Sequence, residues 1–320
     1  DLPEGLSVSL SVTGTEDNVL NGNLSGTYSP ATYRISGDLT IADGDTAYIH
    51  AGTEFLFDGE YNFTIYGLLK AIGSESDSII FDNYGDERWR GFTLDNASDE
   101  TEFSYVRISG AVKTDGGGMW LDYSDPILTH VTISNNTAEY YGGGMRLSNS
   151  NPILTNVTIA NNTANNGGGM YLNNSNPTLT SVTFSGNTSD SKGGGIYLSS
   201  SSMNGNYLLV HNNYSEGHGG GIFISAGSNI SLNNSTIASN MTGEGDTFGA
   251  GIYADGGTAT LVNSIVYYNR RDGDYGINYN LNGYTMDILD EYTVSYSDIE
   301  GDENWIPEGV GNISIAPEVN

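Results

Sequence analysis

Catalysis and metal binding draw on few side-chain types, and this chain is poor in most of them. It has no cysteine, which excludes a thiol nucleophile, a thiolate metal site and a disulfide framework. Its histidines, His50, His130, His211 and His218, share no periodic position, and its lysines are only Lys70, Lys113 and Lys192. Acidic residues gather toward the ends: Asp43, Asp45, Asp58, Glu60, Asp86 and Glu87 early, then Asp272, Asp274, Asp298, Glu300, Asp302 and Glu303 late. Such short alternations supply the hard oxygen ligands that Ca2+ prefers, and Asp298, Glu300 and Asp302 form the calcium candidate. No EF-hand loop and no Gly-Gly-X-Gly-X-Asp nonapeptide is present, and a solvated acidic surface accounts for the same residues. No motif requires a cofactor.

The second candidate surface is aromatic. Trp120, Tyr171, Tyr197, Phe223 and Tyr253 recur at steps of 25 to 30 residues, with Arg146 in the remaining place of the series. Aligned outward rings could stack on sugar rings or on another subunit. The alternative is an aromatic ladder that stabilises one face by cross-strand pairing, under a covering loop.

The spacing of that series belongs to a repeat that runs through the chain. Gly-Gly-Gly followed by Met or Ile begins at Gly116, Gly142, Gly167, Gly193 and Gly219, and Gly-Ala-Gly-Ile begins at Gly249, with steps of 26, 25, 26, 26 and 30 residues. A Pro-X-Leu-Thr-X-Val-Thr-Ile/Phe block keeps the same step at Pro126, Pro152 and Pro177. An asparagine follows at Asn136, Asn162, Asn187, Asn213, Asn240 and Asn269. Three markers therefore share one register, which identifies a repeat architecture before any local propensity is weighed.

Within each unit apolar residues alternate in short bursts, as in Met145 and Leu147, then Leu154, then Val157 and Ile159, with Gly, Asn, Ser and Pro between them. Period-two bursts separated by turn residues mean strands, three per unit. One unit cannot bury its single apolar face, but stacked units pair each strand with its equivalent in the next and close a continuous core. The expected fold is all-β: a parallel β-helix of about ten coils, with Leu121, Leu147, Leu172 and Leu198 in one buried column and Ile133, Ile159, Phe184 and Val210 in another. Stacked glycines serve tight bends or close approach between coils. Stacked asparagines hydrogen-bond along the axis as in amide ladders. Sequons at Asn135, Asn156, Asn161, Asn213, Asn229 and Asn312 offer glycan acceptors wherever they are exposed.

The register weakens but persists outward, through Ile41, Ile49, Phe55, Phe57, Phe63, Ile65, Ile79 and Phe81 on one side and Val262, Ile265, Val266, Val294, Tyr296 and Ile299 on the other. The expected organisation is an N-terminal strand or cap over residues 1–30, the β-helix over 31–300 and a C-terminal cap or tail over 301–320. In the first segment Leu6, Val8, Leu10 and Val12 alternate with Ser and Thr. This strand either folds back as a cap or pairs with an edge of the next subunit.

Charge narrows the partners. Ten basic against 39 acidic side chains give a net charge of −29 in 320 residues, and Arg270-Arg271 is the single adjacent basic pair. Neutralising nucleic-acid phosphates takes clustered Lys and Arg, so nucleic acid is excluded, as is an anionic membrane surface. No apolar run approaches the roughly 20 residues of a membrane span. Numbering that opens on Asp is expected for a mature form whose export signal has been removed.

The unit Gly-Gly-Gly-Met-Tyr-Leu-Asn-Asn-Ser-Asn-Pro-Thr-Leu-Thr-Ser-Val-Thr-Phe-Ser-Gly-Asn-Thr at 167–188 resembles the repeats of the polymorphic outer-membrane-protein family and of related secreted bacterial right-handed β-helix proteins. Gly52-Thr53-Glu54-Phe55, Gly67 to Gly73, Asp77 to Phe81, Trp89-Arg90-Gly91-Phe92 and Tyr296 to Gly301 resemble their first and last coils. The resemblance covers roughly residues 35–316. It implies a right-handed solenoid that is extracellular or displayed on the cell surface and is often adhesive; it carries over no catalytic set. The family's outer-membrane members end in a membrane barrel, for which these residues give no expectation. The functional expectation is a non-enzymatic protein whose partner is a surface glycan, another cell or a second copy of itself, as an adhesin-like binder or a fibre subunit. The alternative is a polysaccharide-degrading lyase or hydrolase, which needs paired carboxylates or acids beside a Lys or Arg.

Overall fold

The computed structural model describes residues 18–244 and 248–272 and the short strands at 281–283, 292–295 and 298–299. Every element among them is a strand, and every pairing between named strands is parallel. The chain climbs through three faces per coil. In one coil these are Met145–Ser148, Ile153–Thr155 and Thr158–Ala160, followed by the short strand Thr163–Asn166, which was not expected. The second face is an eleven-stranded sheet, and the short strands form a seven-stranded sheet of their own.

Register follows the repeat. Leu121, Leu147, Leu172 and Leu198 are direct partners, as are Ile133, Ile159, Phe184 and Val210, and all eight are fully buried. The first coils fill the same lumen with rings: Phe57 stacks on Trp89 at 4.3 Å, and the Trp89 indole N–H donates to the Ser109 carbonyl at 2.7 Å. Of the residues expected to keep the register late in the chain, Val266 is buried, whereas Ile265 beside it faces solvent. The solenoid also starts earlier than residue 31. Asn18–Asn23 pairs with Thr32–Ile41, Gly26–Tyr28 pairs with Thr46–His50, and Leu24 is buried. Leu6, Val8, Leu10 and Val12 lie outside the described residues, as does the segment 301–320.

Each coil turns four corners, and at most of them one residue adopts positive φ. Three corners accept non-glycine residues, such as Asn149, Asn156 and Asn161 in one coil, because the short polar side chain tolerates the left-handed region. The fourth is glycine at every repeat. A Cβ on Gly142, φ +67, would lie 2.1 Å from the Met145 carbonyl oxygen, so that bend excludes every other residue. The next glycines answer to the neighbouring coil instead, since a Cβ on Gly143 would meet the Gly168 oxygen at 2.4 Å.

Two polar ladders run inside the wall. Each buried asparagine accepts from the backbone N–H and the amide of the one before it. Asn187 Oδ1 takes Asn162 N at 3.0 Å and Asn162 Nδ2 at 3.1 Å, and Asn187 Nδ2 donates to the Ile159 carbonyl at 2.9 Å. This column satisfies the turn backbone as the repeat predicts. It also removes Asn213 from the glycan acceptors, because that side chain is buried; Asn135, Asn156, Asn161 and Asn229 are exposed. A serine ladder was not foreseen: Ser150, Ser175, Ser201 and Ser228 each offer Oγ to the N–H of the preceding serine at 3.0 to 3.1 Å, and Ser124 offers its own to the Ala97 N–H at 3.0 Å.

Candidate functional site

Two columns meet along the first face. One is the outward series Thr93, Trp120, Arg146, Tyr171, Tyr197, Phe223 and Tyr253, in direct register from coil to coil. The other is the residue just ahead of each corner glycine: Arg90, Asp115, Tyr141, Asn166, Lys192, His218 and Phe248. The short fourth strand ends at this second column, and its turn brings these side chains alongside the first.

The rings stack on each other. Centroids are 4.6 Å apart for Tyr141 and Tyr171, 5.0 Å for Tyr171 and Tyr197, 4.7 Å for Tyr197 and Phe223 and 5.5 Å for Phe223 and Tyr253. The flanking column closes over the far end: the Lys192 ammonium sits 4.7 Å above Phe223, and the His218 ring lies 4.7 Å from Tyr253. Phe223 and Tyr253 are consequently buried, which corrects the expectation of an exposed five-ring face. Trp120, Tyr171 and Tyr197 remain half-buried. Because ring faces are spent on one another, the column presents edges and hydroxyls rather than open faces. Burial, with Tyr171 and Asp255 nearby, pushes the Tyr197 hydroxyl up to about 12, so it stays a neutral donor.

At the N-terminal end the series changes from rings to charges. Arg146 Nη1 pairs with Asp115 Oδ2 at 2.7 Å, and its guanidinium lies 5.0 Å from Trp120 and 5.3 Å from Tyr141. Lys113 Nζ donates to Thr93 Oγ1 and approaches the Trp120 ring at 5.6 Å. Burial, opposed by Asp115 and reinforced by Arg90, lowers the Lys113 amine to about 8. Arg90 itself pairs with Glu60. Asn62, Arg90, Lys113, Thr114, Asp115 and Trp120 line an open pocket of about 390 Å³. Of these only Trp120 was singled out by the repeat. The available signal was Arg146, the one cation in an aromatic series.

The calcium candidate is not brought together within the described residues. The strand at Asp298 pairs with the strand at Ile265, Glu300 and Asp302 fall outside, and no group of three or more His, Asp or Glu that could hold a metal occurs among the described residues. No helix among them is long and apolar enough to cross a membrane.

Parallel faces, an inward-facing core and a coil-to-coil register that shifts mainly in the short fourth strand define a solenoid of the β-helix class. The family model for the right-handed β-helix region matches residues 90–266, more than half of the chain, and the protein belongs to that family. Among solved structures, a crystal structure of pectate lyase Pel9A is similar at 12% identity and a TM-score of 0.40, over 83% of this chain and 71% of that one. No curated protein matches the chain.

Proposed function

We propose that this chain is a non-catalytic, extracellular or surface-displayed binding protein that holds an extended glycan along the face where the ring column and its flanking column pack together. The observation that carries this reading is the half-exposed run of Tyr141, Tyr171 and Tyr197 next to the charged pocket. Tyr171 and Tyr197 stand one coil apart along the axis, and Arg146, the next residue of their column, packs on the Trp120 ring that lines the pocket. Contacts repeated along the axis suit a polymer rather than a compact ligand. The adhesin-like repeat pattern supports the same use.

Since the ring faces are occupied, the contacts available to sugar hydroxyls are the Tyr141, Tyr171 and Tyr197 hydroxyls. The double variant Tyr171→Phe/Tyr197→Phe keeps the ladder and removes two of them. Affinity electrophoresis against a panel of polysaccharides is expected to show retardation of the wild type and loss of it in the variant. Equal retardation of both would refute this face as the binding surface. One observation favours a second reading as a polysaccharide-cleaving enzyme, the lowered amine of Lys113 beside Asp115. Release of reducing ends or unsaturated products in the same incubations would establish it.

A further inference from the structure

We propose that the pocket lined by Arg90, Lys113 and Trp120 is an oxyanion site that receives the carboxylate or sulfate of an acidic sugar unit. This rests on the reading of the ring face as a glycan site and names the chemical class of its ligand.

The chain has ten basic residues against 39 acidic ones, yet two of the ten line this pocket and a third, Arg146, packs against its indole. Cations gathered in so acidic a chain require a local reason. Lys113 is the most exposed to the consequence. Its Nζ is part-buried, donates to the Thr93 hydroxyl, and has no carboxylate within ion-pair distance among the described residues. A desolvated ammonium without a contacting anion is destabilised, and a ligand anion would offset that. Arg90 adds charge from the neighbouring column, and its partner Glu60 is 69% exposed, so that pair is weakly held and open to exchange.

Trp120 supplies a second, independent indication. Its Nε1–H is buried without an acceptor, and an indole nitrogen can only donate. Buried donors are almost always paired, so an incoming oxygen that reached this one as the ring gave way would relieve its cost. Asp115 has the complementary deficiency. Oδ2 accepts from Arg146, whereas Oδ1 is buried with no donor and Arg146 Nε with no acceptor. An anionic oxygen for Lys113 together with hydroxyls able to reach Trp120 and Asp115 as the pocket wall yields describes an acidic sugar better than a bare ion. The net charge of −29 does not forbid this, because charges farther than about 8 Å are largely screened at physiological salt.

The test is titration calorimetry of the whole chain with four probes: a uronic-acid oligosaccharide, its methyl ester, a sulfated galactan oligosaccharide and sodium sulfate. Lys113→Met is expected to weaken at least one acidic oligosaccharide about tenfold at pH 7 without lowering the melting temperature. Lys113→Arg should retain most of the affinity, and Lys70→Met should match the wild type. Wild-type affinity should fall as pH rises above about 8, where the amine loses its proton, and Lys113→Met should show no such fall. Preference for the carboxylate over its ester, or for the sulfated chain, identifies which oxyanion is read. Binding of oligosaccharides that ignores esterification and Lys113→Met would overturn the oxyanion site while leaving the glycan face standing. Sulfate binding that depends on Lys113, without oligosaccharide binding, would overturn the glycan face and keep the pocket. Binding of no probe would overturn both.

Discussion

Removing one rung of the asparagine ladder should cost more than removing a core side chain of similar size. Asn187 makes four side-chain hydrogen bonds: it accepts from Asn162 N and Nδ2 and donates to the Ile159 carbonyl at 2.9 Å and to Asn213 Oδ1 at 2.9 Å. Asn162 Nδ2 keeps a second partner in the Ile133 carbonyl, and Asn213 Oδ1 keeps the Asn187 backbone N–H. Asn162 N–H, in contrast, would lose the acceptor that the ladder provides. Four bonds at about 1 kcal/mol each, with a buried donor left bare, put Asn187→Ala at about 3 to 6 kcal/mol. Urea unfolding reports this as a lower midpoint at unchanged slope. Asn187→Asp separates hydrogen bonding from packing. An ionised Asp in that place would set a second acceptor against the Ile159 carbonyl and Asn213 Oδ1, so the folded chain requires the protonated acid and raises its pKa above the unfolded value of about 3.9. The unfolded state then releases a proton that the folded state keeps. Stability is therefore greatest below about pH 4 and falls as pH rises from there toward the folded pKa. A cost under about 1 kcal/mol for Asn187→Ala, or a flat stability profile between pH 4 and 7 for Asn187→Asp relative to the wild type, would refute the ladder as a stabilising element.

Leu172→Ala, in the middle of a fully buried column, should lower stability by about 2 to 5 kcal/mol as a core cavity, measured by the same denaturation. Lys113 presents the opposite case: its fall from 10.5 to about 8 corresponds to about 3 kcal/mol of strain on the charged form. The unfolded chain holds that proton up to pH 10.5 while the folded chain releases it near 8, so wild-type stability should gain between those values. Lys113→Met should be more stable at pH 7 and lose that gain; a less stable variant at pH 7 would contradict the assignment. A binder built as proposed is expected to be monomeric by light scattering with or without residues 1–13. A larger mass that collapses on their deletion would instead establish strand exchange through Leu6, Val8, Leu10 and Val12.

The solenoid was legible because its determinants are local and repeated. A period of 25 to 26 residues, inward alternation and corner residues recur often enough to fix which side chains stack, and the leucine and asparagine columns follow from counting alone. The serine ladder was equally periodic, at Ser124, Ser150, Ser175 and Ser201, but serine is common in this chain and its column does not stand out from composition. The early start at Asn18 was hidden because that strand has few apolar residues and owes its place to pairing with Thr32–Ile41.

The candidate site divides along the same line. Sequence by itself determined that Trp120, Arg146, Tyr171, Tyr197, Phe223 and Tyr253 form one outward column, since one residue per coil at a fixed offset must stack. It did not determine their exposure. That depends on the fourth strand, whose turn swings Asp115, Tyr141, Lys192 and His218 across the column, buries Phe223 and Tyr253 and leaves Trp120 at an open pocket. Only the tertiary structure joined Arg90, Lys113 and Arg146. They stand at different offsets in three successive coils, and the contact between them is set by the stacking distance and the corner angle rather than by any spacing along the chain.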